Sequence, residues 1–272
     1  MGKPVNRVLF VNSEIMPFLP ETPISKIGRC LPQGIQERKK EIRAFMPRYG
    51  CINERKNQLH EVIRLSGMNI VINDVDRPLV IKVASISAAR IQVYFIDNED
   101  YFKRKQIDRD DDGKFFDDNA ERAIFFARGV LETVKKLRWA PDVIHCQGWI
   151  SHLVPVYLKK AYKEDPIFSN SKVVLSLYDD TPEADFCPTF ADKACFGAVK
   201  KEDLGLLEKP DGINLARTAA QYSDGVILGA ADVKPEIVSW CKELGLPVLP
   251  FNAAALEDGS YVDEYCGFYD EL

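Results

Sequence analysis

Four polar or aromatic side chains follow apolar runs of this sequence, at positions where ligands are commonly bound. Glu14 comes just after the run Arg7–Val11, and His145, Gln147 and Trp149 lie at or just beyond the end of "PDVIHC". If both runs are strands of a parallel sheet, these residues lie at its carboxyl edge, where α/β proteins hold ligands. For His145 we favour a hydrogen-bonded structural histidine over a catalytic one. For Glu14 a ligand contact and a capping role in the turn both stay open.

A zinc site would need His145, Cys146 and His152 to face one ion. Adjacent residues of a strand point to opposite faces, so His145 and Cys146 do not share one. His152 follows seven residues after His145, in a predicted helix. We therefore expect no zinc here.

The acidic stretch Asp108–Asn119 resembles the first half of an EF-hand calcium loop. Asp108, Asp110 and Asp112 occupy the alternating ligand positions. Position twelve, however, is Asn119 instead of the bidentate glutamate that the motif requires. We favour a solvated loop over a calcium site, and we predict no resident metal or cofactor for the chain.

The composition excludes several classes of function. The chain has 272 residues, of which 46% are hydrophobic and 28% charged, as in soluble globular proteins. A net charge of −5 without a Lys/Arg cluster argues against nucleic acid. No apolar run approaches a membrane span, and "MGKPVNRVLFVNSE" enters a strand almost at once, which leaves no room for a signal peptide. The seven scattered cysteines without a CxxC pair predict reduced thiols and a cytoplasmic protein.

Apolar runs that alternate with amphipathic segments predict an α/β fold. "RVLFV", "EIRAFMP", "PDVIHC", "KVVLSL", "SDGVILGA" and "LPVLPF" are short and continuous, as in strands buried on both faces of a parallel sheet. Period-two runs between Val62 and Ile96 predict an antiparallel insertion of hairpins. The strongest helix pattern follows Asp118, a predicted N-cap, with Glu121 completing a capping box. We expect a Rossmann-like, mainly parallel sheet with helices on both faces and a β-hairpin insertion.

We assign this domain to residues 1–255. The remaining stretch, 256–272, is an acidic and aromatic tail. Its composition leaves two arrangements open, one in which it packs back on the body and one in which it hangs free.

The turn after the first run lies where α/β proteins commonly hold anionic ligands. We place this turn over Glu14–Pro32 and a helix after it, with apolar spacing through Ile27, Leu31 and Ile35. The turn contains three prolines before its first glycine, Gly28. Because a proline nitrogen has no hydrogen to donate, these residues do not suit a phosphate site.

The sequence resembles the N-terminal half of bacterial glycogen synthases and plant starch synthases. The resemblance implies a GT-B glycosyltransferase fold, in which two Rossmann-like domains face each other across a cleft and ADP-glucose donates glucose, with retention, to an α-1,4-glucan. It covers most of Arg7–Ala231, in the family's order. The matching stretches are "RVLFVNSEIMPF", "LPQGI", "IRAFMPRYG", "VYFIDNEDYFKRKQI", "DNAERAIFFARGVLE", "WAPDVIHCQGW", "LVPVYLKKAY" and "YSDGVILGA".

The resemblance fails in the loop that would bind the donor. The family has Lys-x-Gly-Gly-Leu after its first strand, whose lysine and glycine amides contact the diphosphate. At those positions this chain has Pro20 for the lysine, and Thr22 and Pro23 for the glycines. Lys26 replaces an aspartate of the family. The donor-binding chemistry implied by the resemblance is therefore lost at these four positions.

A second motif is only partly kept. The family reads approximately His-x-His-Asp-Trp-His where this chain has "HCQGWI", and those side chains line the sugar pocket. His145 and Trp149 match, while Gln147 and Gly148 replace a histidine and the aspartate. The resemblance thus implies a residual sugar pocket of Glu14, Gln147 and the two retained residues, with no catalytic residue assigned.

The family's second domain, which binds the nucleotide, has no counterpart before Leu272. We therefore expect a synthase-like single domain that is inactive alone and binds a sugar, an α-glucan, a sugar nucleotide weakly, or a partner protein. One alternative is half of a split ADP-glucose-dependent glycosyltransferase completed by a separate subunit. Another is a scaffold or regulatory domain that dimerises through the exposed cleft face.

Overall fold

The computed structural model describes residues 4–272, in which ten strands form one sheet. Continuous apolar sequence accounts for the central strands, since β1 and β7 are buried on both faces. The strands are β1 (Arg7–Asn12), β2 (Glu41–Pro47), β3 (His60–Glu61), β4 (Met68–Ile72), β5 (Val75–Ile86), β6 (Ile91–Asp97), β7 (Val143–Gln147), β8 (Lys172–Leu177), β9 (Gly225–Leu228) and β10 (Val248–Leu249).

Helices cover both faces of this sheet. Short 3-10 helices also occur at Ser87–Ala89, Trp149–Ser151 and Lys201–Glu208. The α-helices are α1 (Pro23–Glu37), α2 (Glu99–Phe102), α3 (Asn119–Leu137), α4 (Val154–Lys160), α5 (Phe190–Ala194), α6 (Gly212–Gln221), α7 (Pro235–Glu243), α8 (Ala253–Asp258) and α9 (Tyr261–Glu271). Within residues 4–272, none is long and apolar enough to cross a membrane.

The strands β10, β9, β8, β7, β1, β2 and β6 are neighbours in this order and run parallel. The predicted α/β fold with a mainly parallel sheet is confirmed. The chain places β2 on one side of β1 and β7 on the other. Such a reversal of strand order opens a crevice at the carboxyl ends of the strands, the usual ligand position of this architecture.

The region predicted as a hairpin insertion is partly a component of the main sheet. Antiparallel pairing is confirmed for β4 with β5 and for β5 with β6. However, β6 also pairs in parallel with β2, so it is an interior strand. Its apolar residues Val93–Ile96 are accordingly buried, because both faces of the strand are covered.

The helix α1 begins at Pro23, so the expectation of a turn extending to Pro32 is wrong. Thr22 is the N-cap: its hydroxyl accepts from the Ser25 amide at 3.0 Å, and the Ser25 hydroxyl accepts from the Thr22 amide at 2.8 Å. Pro23 stands at the first helical position, where its fixed φ favours the helix. Gly28 lies against the Glu14 carbonyl, which a Cβ there would overlap.

The predicted capping box of α3 is also wrong. Asp118 is at the N-cap, but its side chain makes no capping hydrogen bond and instead pairs with Arg104 at 2.6 Å. Glu121 accepts hydrogen bonds from the Tyr101 hydroxyl at 2.9 Å and from Lys193 Nζ at 2.7 Å. Asp118 and Glu121 thus bond to groups from other parts of the chain, because a charge-assisted hydrogen bond is stronger than the capping hydrogen bond that the sequence predicts.

The last residues pack on the body of the protein. Tyr265, Phe268 and Tyr269 of α9 are buried. Ion pairing fixes the outer side of the helix, since Arg38 Nε lies 2.6 Å from an Asp263 carboxylate oxygen. Of the two arrangements left open for 256–272, the structure has the packed one.

Candidate functional site

The carboxyl ends of β1 and β7 place several polar side chains side by side. Asn12 and Gln147 are register partners, and the Ser13 amide donates to the Gln147 carbonyl at 2.9 Å. Asn12 and Gln147 are fully buried. Within the described chain, neither polar atom of the Asn12 side chain has a hydrogen-bond partner, and the same holds for Gln147 Nε2 and Ser13 Oγ. Buried polar groups without partners are rare in proteins and are typical of sites that hold water or a ligand.

Glu14 joins the turn to the start of α1. The Thr22 hydroxyl donates to Glu14 Oε2 at 2.6 Å. Burial raises the pKa of Glu14, the hydrogen bond from Thr22 opposes this effect, and the nearby Asp108 carboxylate adds to it. The carboxylate therefore holds the cap residue in place, as in the capping interpretation of this turn.

Three of the four positions of the degenerate donor loop line one large cavity. Thr22, Pro23 and Lys26 face a space of about 990 Å³ between α1, the end of β9 and the α8–α9 turn. Pro20 is exposed outside this lining, and its carbonyl accepts from the Ser25 hydroxyl at 2.8 Å. The structure thus brings the predicted loop to a cleft at the carboxyl edge.

The beginning of α1 offers little to an anion. Helix N-termini bind phosphate through free amides. Pro23 has no amide hydrogen, and the Ser25 amide is already bonded to Thr22. Lys26 pairs with Glu21 at 3.8 Å on the surface.

The charged side chains of the cavity lining are predominantly acidic. Its charged lining consists of the carboxylates of Glu21, Glu257 and Asp258 and the ammonium group of Lys26. A hydrogen bond from Ser260 lowers the pKa of Asp258, which keeps this carboxylate ionised at neutral pH. Such a lining repels a diphosphate and accepts hydrogen bonds from neutral hydroxyl groups.

His145 lies beneath the cleft, inside the protein. Its Nε2 is 2.7 Å from the Ser176 hydroxyl, and its Nδ1 is 2.7 Å from the hydroxyl of Tyr269 on α9. Burial lowers the pKa of His145 to about 3, so the ring is neutral. With no exposed surface and both nitrogens engaged, it has the geometry of a structural histidine.

Gln147 and Trp149 are also held by protein groups. The Tyr178 hydroxyl donates to Gln147 Oε1 at 3.1 Å. The Trp149 indole is almost completely buried and packs against Phe115 and Phe186 at centroid distances of 5.9 and 5.7 Å. The four predicted pocket residues therefore belong to one region, but His145 and Trp149 are enclosed almost entirely by protein.

Asp180 is a site residue that the sequence analysis did not identify. It follows β8, is half-buried, and accepts from the Trp149 amide at 2.7 Å. Burial is the main reason that the pKa of Asp180 is raised to about 6. A Cβ at Gly148 would overlap Ser13 Oγ and lie 3.4 Å from Asp180 Oδ2. Gly148 has no side chain, and Asp180 thus supplies a carboxylate at this position.

No group of three or more potential metal ligands converges in the described part of the chain. The Asp108–Asn119 loop is closed by its own hydrogen bonds. Asp110 Oδ1 accepts from the amides of Asp112 and Lys114 at 3.0 and 2.8 Å, and Asn119 Nδ2 donates to the Asp108 carbonyl at 2.8 Å. His152 is buried.

Known proteins are similar to this chain in sequence and in fold. A family model described as the starch synthase catalytic domain matches residues 7–246. The glycogen synthase of Chlorobium limicola is 35% identical over 221 residues, which are 80% of this chain and 44% of that protein. The glycogen synthase of Chlorobaculum parvum is 34% identical over 234 residues, 86% of this chain and 47% of that protein. The chain thus spans less than half the length of these relatives.

The fold is also similar to that of a solved structure. This is the catalytic domain of starch synthase IV from Arabidopsis thaliana bound to ADP and acarbose. It has a TM-score of 0.71 and 14% sequence identity, and the match covers 92% of this chain and 51% of that one.

Proposed function

Because this chain belongs to the starch synthase catalytic domain family, we propose that it is a carbohydrate-binding, glycogen/starch synthase-like domain that does not transfer glucose on its own. The observation that carries this proposal is the start of α1. The position that would contact a nucleotide diphosphate consists of a capped turn, a proline and an acidic cavity lining.

The energetic argument concerns the leaving diphosphate of a donor such as ADP-glucose. Enzymes stabilise such a group with several preorganised donors, and losing one typically costs ~2.7–4 kcal/mol. At the start of α1, Pro23 cannot donate and the Ser25 amide is occupied. The Arabidopsis domain is bound to ADP as well as acarbose, but the cavity of this chain offers ADP phosphates one lysine, Lys26, against three carboxylates.

A neutral polyhydroxylated ligand suits the same cavity. Glu257 and Asp258 supply acceptors for hydroxyl groups, and Pro23 and Leu256 supply apolar surface. Sugars are recognised by this combination of hydrogen-bond acceptors and apolar surface. We infer that the ligand is a sugar or a short α-glucan and that sugar nucleotides bind weakly.

Calorimetry with maltooligosaccharides, ADP and ADP-glucose tests the binding. We expect saturable binding of the maltooligosaccharide and weak or no binding of ADP. Asp258→Asn should weaken maltooligosaccharide binding roughly fivefold by removing a charged acceptor. Glu243→Gln, an exposed charge change on α7, is the matched control. Tight ADP binding, or no binding of any glucan, would contradict the proposal.

Incubation with ADP-glucose and glycogen tests the transfer. The glycogen synthase of Chlorobium limicola is the positive control, and we expect the pure chain to incorporate no glucose. Incorporation by the pure chain would show that the proposal is wrong. Incorporation only after addition of a second, Rossmann-like subunit that co-purifies would favour the alternative of a split glycosyltransferase.

The dimerisation alternative requires an apolar cleft face. In the described residues, the large hydrophobic side chains that are most exposed are Ile63, Val71, Val75 and Leu244, and they do not line the cavity. These four side chains therefore give the alternative no support at the cleft, although apolar groups such as Pro23 and Leu256 also line the cavity. Light scattering at high concentration tests it, since a monomer excludes self-association.

A further inference from the structure

A cationic groove lies at the opposite edge of the sheet, at the amino ends of β2 and β6. Two adjoining cavities of about 380 and 220 Å³ share Arg43 and Tyr94. Glu41 is the one carboxylate that lines either cavity in the part of the chain that the structure describes. The lining therefore carries a marked local excess of positive charge, although the net charge of the chain is −5. We call the two cavities the amino-edge groove; its cations are Lys40, Arg43, Arg64, Arg90 and Lys136.

Arg43 is the centre of this groove and is held in one orientation. Its guanidinium carbon lies 5.1 Å from the Trp139 ring and 5.8 Å from the Tyr94 ring. Nη1 donates to the Tyr94 hydroxyl at 2.8 Å. Nε is buried and has no partner among residues 4–272. A guanidinium group preorganised in this way and without a carboxylate is suited to a bidentate anion.

Helix dipoles explain only part of the charge. Cations near helix C-termini offset the negative end of the macrodipole, and this accounts for Lys136 in the last turn of α3. Arg43 lies within β2, and Arg90 lies in the turn before β6. Arg43 ends no helix of the described chain, and Arg90 is the C-cap of the three-residue 3-10 helix Ser87–Ala89.

Of the two nearby acids, Glu41 contacts Arg7 outside the groove, and Asp270 pairs with Lys40, one of the groove cations. The Glu41 carboxylate is 3.4 Å from Arg7 Nε and accepts from Trp139 Nε1 at 3.0 Å. Asp270 lies 3.6 Å from Lys40 Nζ. The other four cations of the groove form no ion pair within the described residues.

We propose that the amino-edge groove binds a small phosphate monoester, with Arg43 and Arg90 as the principal contacts. The size of the cavities sets the class of ligand. Tyr94 and Trp139 are each 7% exposed, so they offer no open ring face on which a base could stack. A phosphate on a small polar body, such as a hexose monophosphate, fits this geometry better than a nucleotide.

The site is separate from the carbohydrate cleft. β2 extends over seven residues, which at about 3.3 Å per residue is a distance of about 20 Å from one edge of the sheet to the other. The proposal therefore does not rest on the proposed function, and substitutions in the groove should leave maltooligosaccharide binding unchanged.

Calorimetry on the full chain tests the proposal, with hexose monophosphate and inorganic phosphate as probes and free hexose as the uncharged control. We expect saturable binding of the monoester that weakens as salt is added. The affinity should increase between pH 5.5 and 7.5, because the second ionisation of a phosphate monoester lies near ~6 while arginine stays charged.

Arg43→Met should weaken binding of the monoester roughly tenfold, because it removes charged hydrogen bonds while keeping an apolar chain between the rings. Arg90→Met gives a second test that packing does not complicate, since Arg90 is exposed. Lys242→Met, an exposed charge change on α7 at the far end of the sheet, should have no effect.

Three results would overturn the proposal. They are the absence of saturable binding of either phosphate probe, unchanged affinity in both arginine variants, and equal affinity for free hexose. Binding of a long polyanion such as single-stranded nucleic acid, without binding of the monoester, would also overturn it in favour of a polymer.

Discussion

The hydrogen bond between Tyr269 and His145 fixes the C-terminal helix α9 to the centre of the sheet. The two groups are 2.7 Å apart and are 1% and 0% exposed. Tyr269→Phe removes the hydroxyl and leaves Nδ1 of the imidazole without a partner in a dry interior. Such a group costs ~1–3 kcal/mol. For 272 residues, with an unfolding entropy of ~2.1 cal/mol/K per residue, the melting temperature should fall by about 2–5 °C.

Equilibrium unfolding in urea and thermal melting measure this effect. Tyr265→Phe is the matched control, because Tyr265 is buried in the same helix but its hydroxyl makes no hydrogen bond to a residue in 4–272. We expect the control to change the free energy of unfolding by less than about 0.5 kcal/mol. Equal effects of the two substitutions, or an unchanged midpoint for Tyr269→Phe, would refute the assignment of this bond.

Three further predictions concern stability. His145 and His152 have pKa values lowered to about 3 by burial, so the unfolded chain takes up protons that the folded chain does not. The free energy of unfolding should therefore fall below pH 6.5, by up to about 1.4 kcal/mol per pH unit for each histidine, and a urea midpoint that is the same at pH 7 and 5 would contradict this. Asp180 has a pKa raised from 3.8 to about 6, so Asp180→Asn should stabilise the protein by up to about 3 kcal/mol at pH 8, and this gain should vanish near pH 4, where the acid is protonated. Destabilisation at pH 8 in urea titrations would contradict this. Thr22→Ala should cost about 1 kcal/mol in the same assay through loss of the α1 cap, whereas Thr189→Ala, at an N-cap whose side chain makes no capping hydrogen bond, should cost much less.

The sheet was predictable because its signal is local. Runs such as Arg7–Val11 and Lys172–Leu177 are apolar without interruption, and only a strand covered on both faces uses such a run. The start of α1 was missed because prolines suggested a longer turn. Pro23 instead occupies the first helical position, where its missing amide hydrogen costs nothing.

The composition of the candidate site was less predictable, since it depends on residues far apart in the chain. Tyr269 and His145 are 124 residues apart in the sequence and form a hydrogen bond. No spacing rule relates the two positions. Asp180 comes from a different strand than Gly148 and Ser13. The turn at Glu14, by contrast, was placed correctly at the carboxyl edge, because the end of a buried strand marks that edge in any parallel sheet.

The packing of α9 has a practical consequence for defining the folding unit. The family match stops at residue 246, and a polypeptide trimmed to that point would lack β10, α8 and α9. Water would then reach the His145 ring and the flank of β9 at Gly225, against which Phe268 now rests. We expect such a fragment to aggregate on expression, and the unit that folds to extend beyond the part recognised by sequence similarity.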